Sequence, residues 1–214
     1  MQRSARRRIL DFGCGTGWVL AKASTDCDKL LVGVDFSLAD LVQGSRRFPN
    51  LCFVRGNGLA LPFSPASFDE VIGHVSLPYM DTSAALREIH RVLAPGGSFF
   101  LTVHSLEYVR QRLRIGVGKG RWKDRLFMLY AIANGLLNHC GFPQLSWFGG
   151  KFETIHTAAG IARTARKAGF STVRVERRSG LIFFAVTGHK LDPECRETPP
   201  APGWSLAHVL PVKD

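Results

Sequence analysis

Short apolar runs recur through the first hundred positions, each closed by a glycine or polar break and followed by a stretch with helical spacing. Ile9 to Phe12, Leu30 to Phe36, Leu51 to Arg55, Phe68 to His74 and Phe99 to His104 read as five strands. Between them, Trp18 to Ala23 reads as a helix start, and Ser37 can cap a second helix running to about Arg47. Ser83 to Leu93 places Leu86, Ile89, Val92 and Leu93 on one helical face, and Pro95-Gly96-Gly97 ends that helix. Strands alternating with helices at this spacing predict a parallel sheet with helices on both faces, an α/β fold.

The alternation lapses from 105 to 156. It resumes with a helix from about Thr157 to Ala168, closed by Gly169, then strands near Val173 to Arg177 and Leu181 to Thr187. Arg178-Ser179-Gly180 is short enough to make those two strands an antiparallel hairpin. The tail carries Pro193, Pro199, Pro200, Pro202 and Pro211 and is expected to lack regular structure. The pattern therefore predicts one domain over 1–190, with 105–156 inserted in it and 191–214 as an irregular tail.

Composition changes this picture only through charge. At 214 residues and 45% hydrophobic the chain can build a full core, which excludes disorder. Its net charge of +11 is concentrated at Arg3 to Arg8, between Arg110 and Arg125, and between Arg163 and Arg178. An acidic partner is thereby raised as a question, and solvated faces answer it equally well. The five cysteines are odd in number and lack any C-x-x-C pairing, so neither a disulfide framework nor a metal site is expected. No apolar run has the length of a signal peptide or membrane span, and a cytoplasmic protein is expected.

The chemistry lies in Asp11-Phe12-Gly13-Cys14-Gly15-Thr16-Gly17, set between a strand and a helix where open α/β sheets bind ligands. A dinucleotide fingerprint would need glycine at Trp18, so the glycines serve some other ligand. Asp35 ends the second strand, where a carboxylate can accept hydrogen bonds from both hydroxyls of a ribose. Together these point to an adenosyl ligand.

Four ordered segments, ILDFGCGTG, LVGVDFS, GNGLALPFSPASFDEVI and ALREIHRVLAPGGSFFLTV, resemble the class I S-adenosylmethionine-dependent methyltransferases. Among these, the similarity is to the ubiquinone and menaquinone biosynthesis group, methyltransferase type 11. The resemblance implies a Rossmann-like, doubly wound sheet of seven strands in a three-layer α/β/α arrangement, the last strand antiparallel. It implies S-adenosyl-L-methionine as cofactor, with Asp11, Gly13, Gly15 and Gly17 around its methionyl part and Asp35 on the ribose. Phe36 would pack on adenine, Asn57 and Gly58 would meet its polar edge, and His74 would also border the cofactor. Asn57 stands where the family usually has Asp, which offers adenine an amide oxygen in place of a carboxylate.

The sulfonium is already an activated leaving group, so the protein must chiefly align the acceptor and exclude water. A base helps only an acceptor that must lose a proton. His104 and Tyr79, with Tyr108 near them, are the candidates; a base at His104 would give a pH profile rising near 6 to 7. His90, beside Arg91, reads as a surface residue. Few residues precede the first strand where the family has covering helices, so part of Leu126 to Phe142 is expected to form a lid helix. Its apolar side would face the acceptor, and its basic approach would face solvent, an acidic substrate or a membrane.

The expected function is methyl transfer by in-line displacement to a small, partly hydrophobic molecule. Peripheral contact with an anionic membrane is the variant of that reading. Ser76-Leu77-Pro78-Tyr79 and the positive charge supply the alternative of an RNA methyltransferase, against which the flanking motifs follow the small-molecule group. A cofactor-binding domain without catalysis is the third alternative.

Overall fold

The computed structural model describes residues 6–23, 29–117, 122–147, 152–177, 181–193 and 204. β1 (Arg7–Phe12), α1 (Trp18–Ala23), β2 (Lys29–Asp35), α2 (Leu38–Arg47) and β3 (Cys52–Arg55) form the first half. β4 (Phe68–His74), α3 (Thr82–Val92), β5 (Leu93–His104), α4 (Leu106–Val117) and α5 (Trp122–Cys140) follow, and α6 (Ala158–Lys167), β6 (Phe170–Glu176) and β7 (Phe183–Lys190) complete the chain. The sheet order is β3-β2-β1-β4-β5-β7-β6. β1 to β5 are parallel neighbours, and β7 runs antiparallel to both β5 and β6. The hairpin linker 178–180 lies outside the described residues.

Helix starts follow local hydrogen bonding. Ser37 accepts from Asp40 N–H, Asp81 from Ala84 N–H and Thr157 from Gly160 N–H, each satisfying an amide that the helix leaves free. The strands are apolar on both faces because helices cover both. Leu10, Phe12, Val71, Leu86, Ile89 and Phe99 are buried on one side, and Ile9, Leu20, Leu41, Ile72 and Phe100 on the other. Of the described tail residues, 191–193 and 204, Trp204 joins the second of these cores.

Two elements differ from the sequence pattern. Pro95-Gly96-Gly97 does not separate helix from strand: β5 begins at Leu93, directly after the helix. Leu93 pairs with Phe68 and Ser98 with Glu70, so the register shifts across the three residues, with Gly96 at φ +75. The inserted region contains α4 as well as the expected helix, because the arginines of Leu106–Val117 decorate one amphipathic helix.

The first three strands move outward from β1 in one direction and the next strands in the other. The chain therefore reverses between β1 and β4, and loops from both halves diverge there at the carboxyl ends of the strands. At the opposite end of the sheet, Arg8 forks onto Asp69 at 2.7 and 3.2 Å and Arg7 pairs with Glu70 at 3.2 Å. Part of the N-terminal positive charge is thus spent on joining β1 to β4, away from the cleft.

Candidate active site

The glycine loop is bent over the end of β2: Gly13 and Cys14 both donate to the Val34 carbonyl. Gly13, Gly15 and Gly17 hold φ of +71, +52 and +78, the left-handed region that side chains disfavour. A Cβ on Gly13 would lie 2.3 Å from the Ser76 Cβ, and one on Gly17 2.6 Å from the Phe53 ring. At Gly15 it would meet nothing within 4 Å, so this backbone faces open space. Asp35 holds the loop from below, accepting from Gly15 N–H and Ser37 N–H at 2.8 Å each.

A cleft of about 200 Å³ opens beside the loop, lined among others by Gly13, Asp35, Phe36, Gly58, Ser76 and Tyr79. Phe36 is 71% exposed there, an apolar ring presented to whatever enters, with the Arg55 guanidinium 5.6 Å from its centre. Asn57 sits at the rim, exposed, its amide oxygen accepting from Leu59 N–H at 2.9 Å. His74 is not among the residues lining the cleft; its ring is 2.9 Å from the Thr102 hydroxyl and edge-on to Trp18 and Phe183.

Asp11 is buried beneath the loop and neither carboxylate oxygen has a partner. Burial, with the Asp35 charge adding to it, pushes its pKa up to about 8. An orphaned carboxylate under a loop with open space at Gly15 fits a cationic amino acid moiety above it, and the exposed Phe36 beside Asp35 fits a nucleoside.

The chain crosses from this half to the next through Val75, a β-branched residue at φ +53, whose N–H is held by Thr102. Ser76 then abuts Gly13, and the 3-10 turn Leu77–Tyr79 brings Tyr79 to the mouth of the cleft. His104, ending β5, is 4% exposed, stacked on Tyr108 at 3.7 Å between ring centres and edge-on to Tyr79 at 5.7 Å. The two sequence candidates are thus side by side. The expected titration near 6 to 7 is corrected: burial first, then the charges of Arg112 and His74, lower the His104 pKa to about 4.

A residue not singled out in the sequence completes the group. Glu153 is 4% exposed, with Oε1 3.9 Å from His104 Nδ1. Burial pushes its pKa up, while the neighbouring Tyr108 hydroxyl and the Arg112 charge pull it back. It lies on an extended segment fixed at both sides: Thr154 N–H donates to the Pro78 carbonyl, and His156 Nε2 is 2.9 Å from the Thr82 hydroxyl. A lone carboxylate in Phe152-Glu153-Thr154 offers no periodicity or motif that would have revealed it.

This segment also corrects the reading of α5. The inward side of the helix, Met128, Ala131, Asn134 and Gly135, packs against residues 153–155, and a Cβ on Gly135 would come 2.0 Å from the Ile155 carbonyl oxygen. The face directed at His104 is therefore that of the 153–156 segment, while α5 turns Leu126, Leu129 and Leu136 outward. Arg110, Arg112, Arg114, Lys123 and Arg125 are exposed. His90, read as a surface residue, instead packs edge-on against Phe170 at 5.0 Å. Among the described residues no group of three or more metal-binding side chains occurs, and no helix is long and apolar enough to cross a membrane.

The family described as "Methyltransferase domain" matches residues 9–97. Demethylmenaquinone methyltransferase of Corynebacterium kroppenstedtii is 43% identical over 91 residues, 42% of this chain and 38% of that protein. Malonyl-[acyl-carrier protein] O-methyltransferase of Erwinia pyrifoliae is 28% identical over 178 residues, 80% of this chain and 68% of the relative. The chain spans about two fifths of the length of the demethylmenaquinone relatives. An S-adenosylmethionine-dependent methyltransferase structure from Mesorhizobium loti superposes with a TM-score of 0.60 at 18% identity, covering 88% of this chain and 94% of that one. The [4+2]-cyclase SpnF superposes at 0.62 and 19% identity over 88% and 76% of the two chains, so the fold alone does not decide the reaction.

Proposed function

The chain belongs to the class I S-adenosylmethionine-dependent methyltransferases, and from that premise we propose that it moves the cofactor's methyl group to a small, partly apolar acceptor. The observation that carries this is the cradle of Gly13 to Gly17 beside Asp11 and Asp35, with Tyr79 lining the same cleft and His104 edge-on to Tyr79 at 5.7 Å. Gly13, Gly15 and Gly17 would hold the methionyl part, Asp35 the ribose and Phe36 the adenine, with Gly58 and Asn57 at its edge. When bound, the cofactor supplies a methyl group on a positively charged sulfur. The protein's part is to align the acceptor in line with that methyl, keep water out, and receive any proton the acceptor sheds. His104 is neutral at pH 7 and so able to take one.

The acceptor reading draws on relatives named for quinone and acyl-carrier substrates, and on the stacked rings of His104 and Tyr108. Exposed Leu126, Leu129 and Leu136 beside Lys123 and Arg125 support the further step that a lipid-like acceptor is taken from an anionic membrane surface. Calorimetry with S-adenosylhomocysteine tests the cofactor half. Transfer of labelled methyl to a panel of reduced quinones, phenols and acyl thioester carboxylates tests the acceptor half. Absence of S-adenosylhomocysteine binding would overturn the reading, and methylation of RNA in preference to the panel would replace the acceptor class.

A further inference from the structure

Resting on the methyl-transfer reading above, we propose that Glu153 is the positioning residue of His104, and that the pair selects an acceptor carrying an O–H or N–H group. The argument begins with which atoms are enclosed. His104 Nδ1 and Glu153 Oε1 are both shut off from solvent, both lack a hydrogen-bond partner, and lie 3.9 Å apart. The other imidazole nitrogen, Nε2, is not among the enclosed unpartnered atoms. A neutral imidazole carries one N–H, and which nitrogen bears it is set by what the other faces. With an acceptor-only carboxylate on the Nδ1 side, the hydrogen belongs on Nδ1 and the lone pair on Nε2.

The surroundings hold the ring in that orientation. Tyr108 stacks flat on His104 at 3.7 Å between ring centres, and Tyr79 meets its edge at 5.7 Å. The other titratable or charged groups that act on this pair are Arg112, His74 and His156. A fixed tautomer that leaves the lone pair on Nε2 is useful only to an acceptor that gives up a proton. In that step the acceptor oxygen or nitrogen forms its bond to the methyl carbon as the sulfur–carbon bond breaks, and the acceptor proton passes to Nε2. The products are the methylated acceptor, S-adenosylhomocysteine and an imidazolium whose Nδ1–H faces Glu153.

The test needs no acceptor. In full-length protein labelled with ¹⁵N-histidine, long-range proton–nitrogen spectra at pH 7 report the tautomer of each ring, His104 being assigned by its loss in His104→Gln. Wild type is expected to hold His104 in the Nδ1–H form. Glu153→Ala should shift it toward the Nε2–H form, and Glu153→Asp should restore part of the wild-type signal. Glu153→Gln, which keeps an oxygen acceptor without the charge, should keep the tautomer and move the Nδ1 resonance. S-adenosylhomocysteine affinity, measured on the same samples, should stay within about threefold of wild type, since none of these changes touches the glycine loop. An Nε2–H tautomer in wild type, or a tautomer indifferent to Glu153→Ala in a variant that still binds S-adenosylhomocysteine, would overturn the proposal. Failure of wild type to bind S-adenosylhomocysteine would instead strike the methyl-transfer reading, leaving the His104 spectra to be judged separately.

Discussion

The two sides of the cleft are built by different means. On the proposed cofactor side the groups are mostly backbone, bent by three left-handed glycines within five residues and held by one carboxylate. On the proposed acceptor side they are side chains brought from four separate elements, Tyr79 after β4, His104 at the end of β5, Tyr108 on α4 and Glu153 before α6. A backbone site depends on local conformation and is damaged by adding atoms. A side-chain site depends on tertiary packing and is damaged by loosening it.

The comparison is broken most severely at Gly15. Its replacement by valine projects side-chain atoms into the open space above the loop, so S-adenosylhomocysteine affinity should fall by about 100-fold or more. The same change should leave a folded protein, at roughly 1–2 kcal/mol of left-handed strain. Unaltered affinity in calorimetry would mean that the loop is not the cradle. Asp35→Ala is expected to weaken binding by about 1.5–3 kcal/mol, because it removes the ribose acceptor and also frees Gly15 N–H.

A smaller effect should appear with pH. The Asp11 pKa in the folded chain, about 8, lies above its unfolded value, so the folded state binds the extra proton between about pH 4 and 8. The contribution of Asp11 to the stability of the cofactor-free protein, read as the difference between wild type and Asp11→Asn, should accordingly fall as pH rises through that window. Affinity for the cationic cofactor should rise on the order of tenfold from pH 6.5 to 8.5, as ionisation no longer has to be driven by binding. Asp11→Asn should remove both trends; a melting-temperature difference between wild type and Asp11→Asn that does not change with pH would count against the buried acid.

On the acceptor side, Gly135→Ala should destabilise the fold by about 1–3 kcal/mol by forcing α5 off the Ile155 carbonyl, with S-adenosylhomocysteine affinity nearly intact. Equal damage to cofactor binding would show that the two sides are not separable. Smallest of all, Arg8→Ala should lower stability by no more than about 1 kcal/mol, since the fork to Asp69 is part-exposed and lies at the far end of the sheet.

That same division explains what the sequence made legible. The glycine loop, Asp35 and the strand Phe68–His74 are specified by neighbours in the chain, and the structure places them with the expected bounds. Pro95-Gly96-Gly97 misleads because a break in pattern is also what a register shift inside a strand looks like. α4 is hidden by its arginines, which dilute the apolar period of Tyr108 and Val109 without abolishing it. Glu153 is invisible for a stronger reason: its meaning comes only from His104 and Tyr108, which the fold brings to it from far along the chain.

Val75 ties the two sides together. A β-branched residue held at φ +53 stores on the order of 1–3 kcal/mol, retained only while the β4 exit stays bonded to Thr102. That energy is released whenever those bonds open, so the exit should form a low-lying opening unit of its own. In hydrogen exchange the amides of Val75 to Tyr79 should trade with solvent well ahead of those in the body of β4, and a ligand spanning both sides should slow them most.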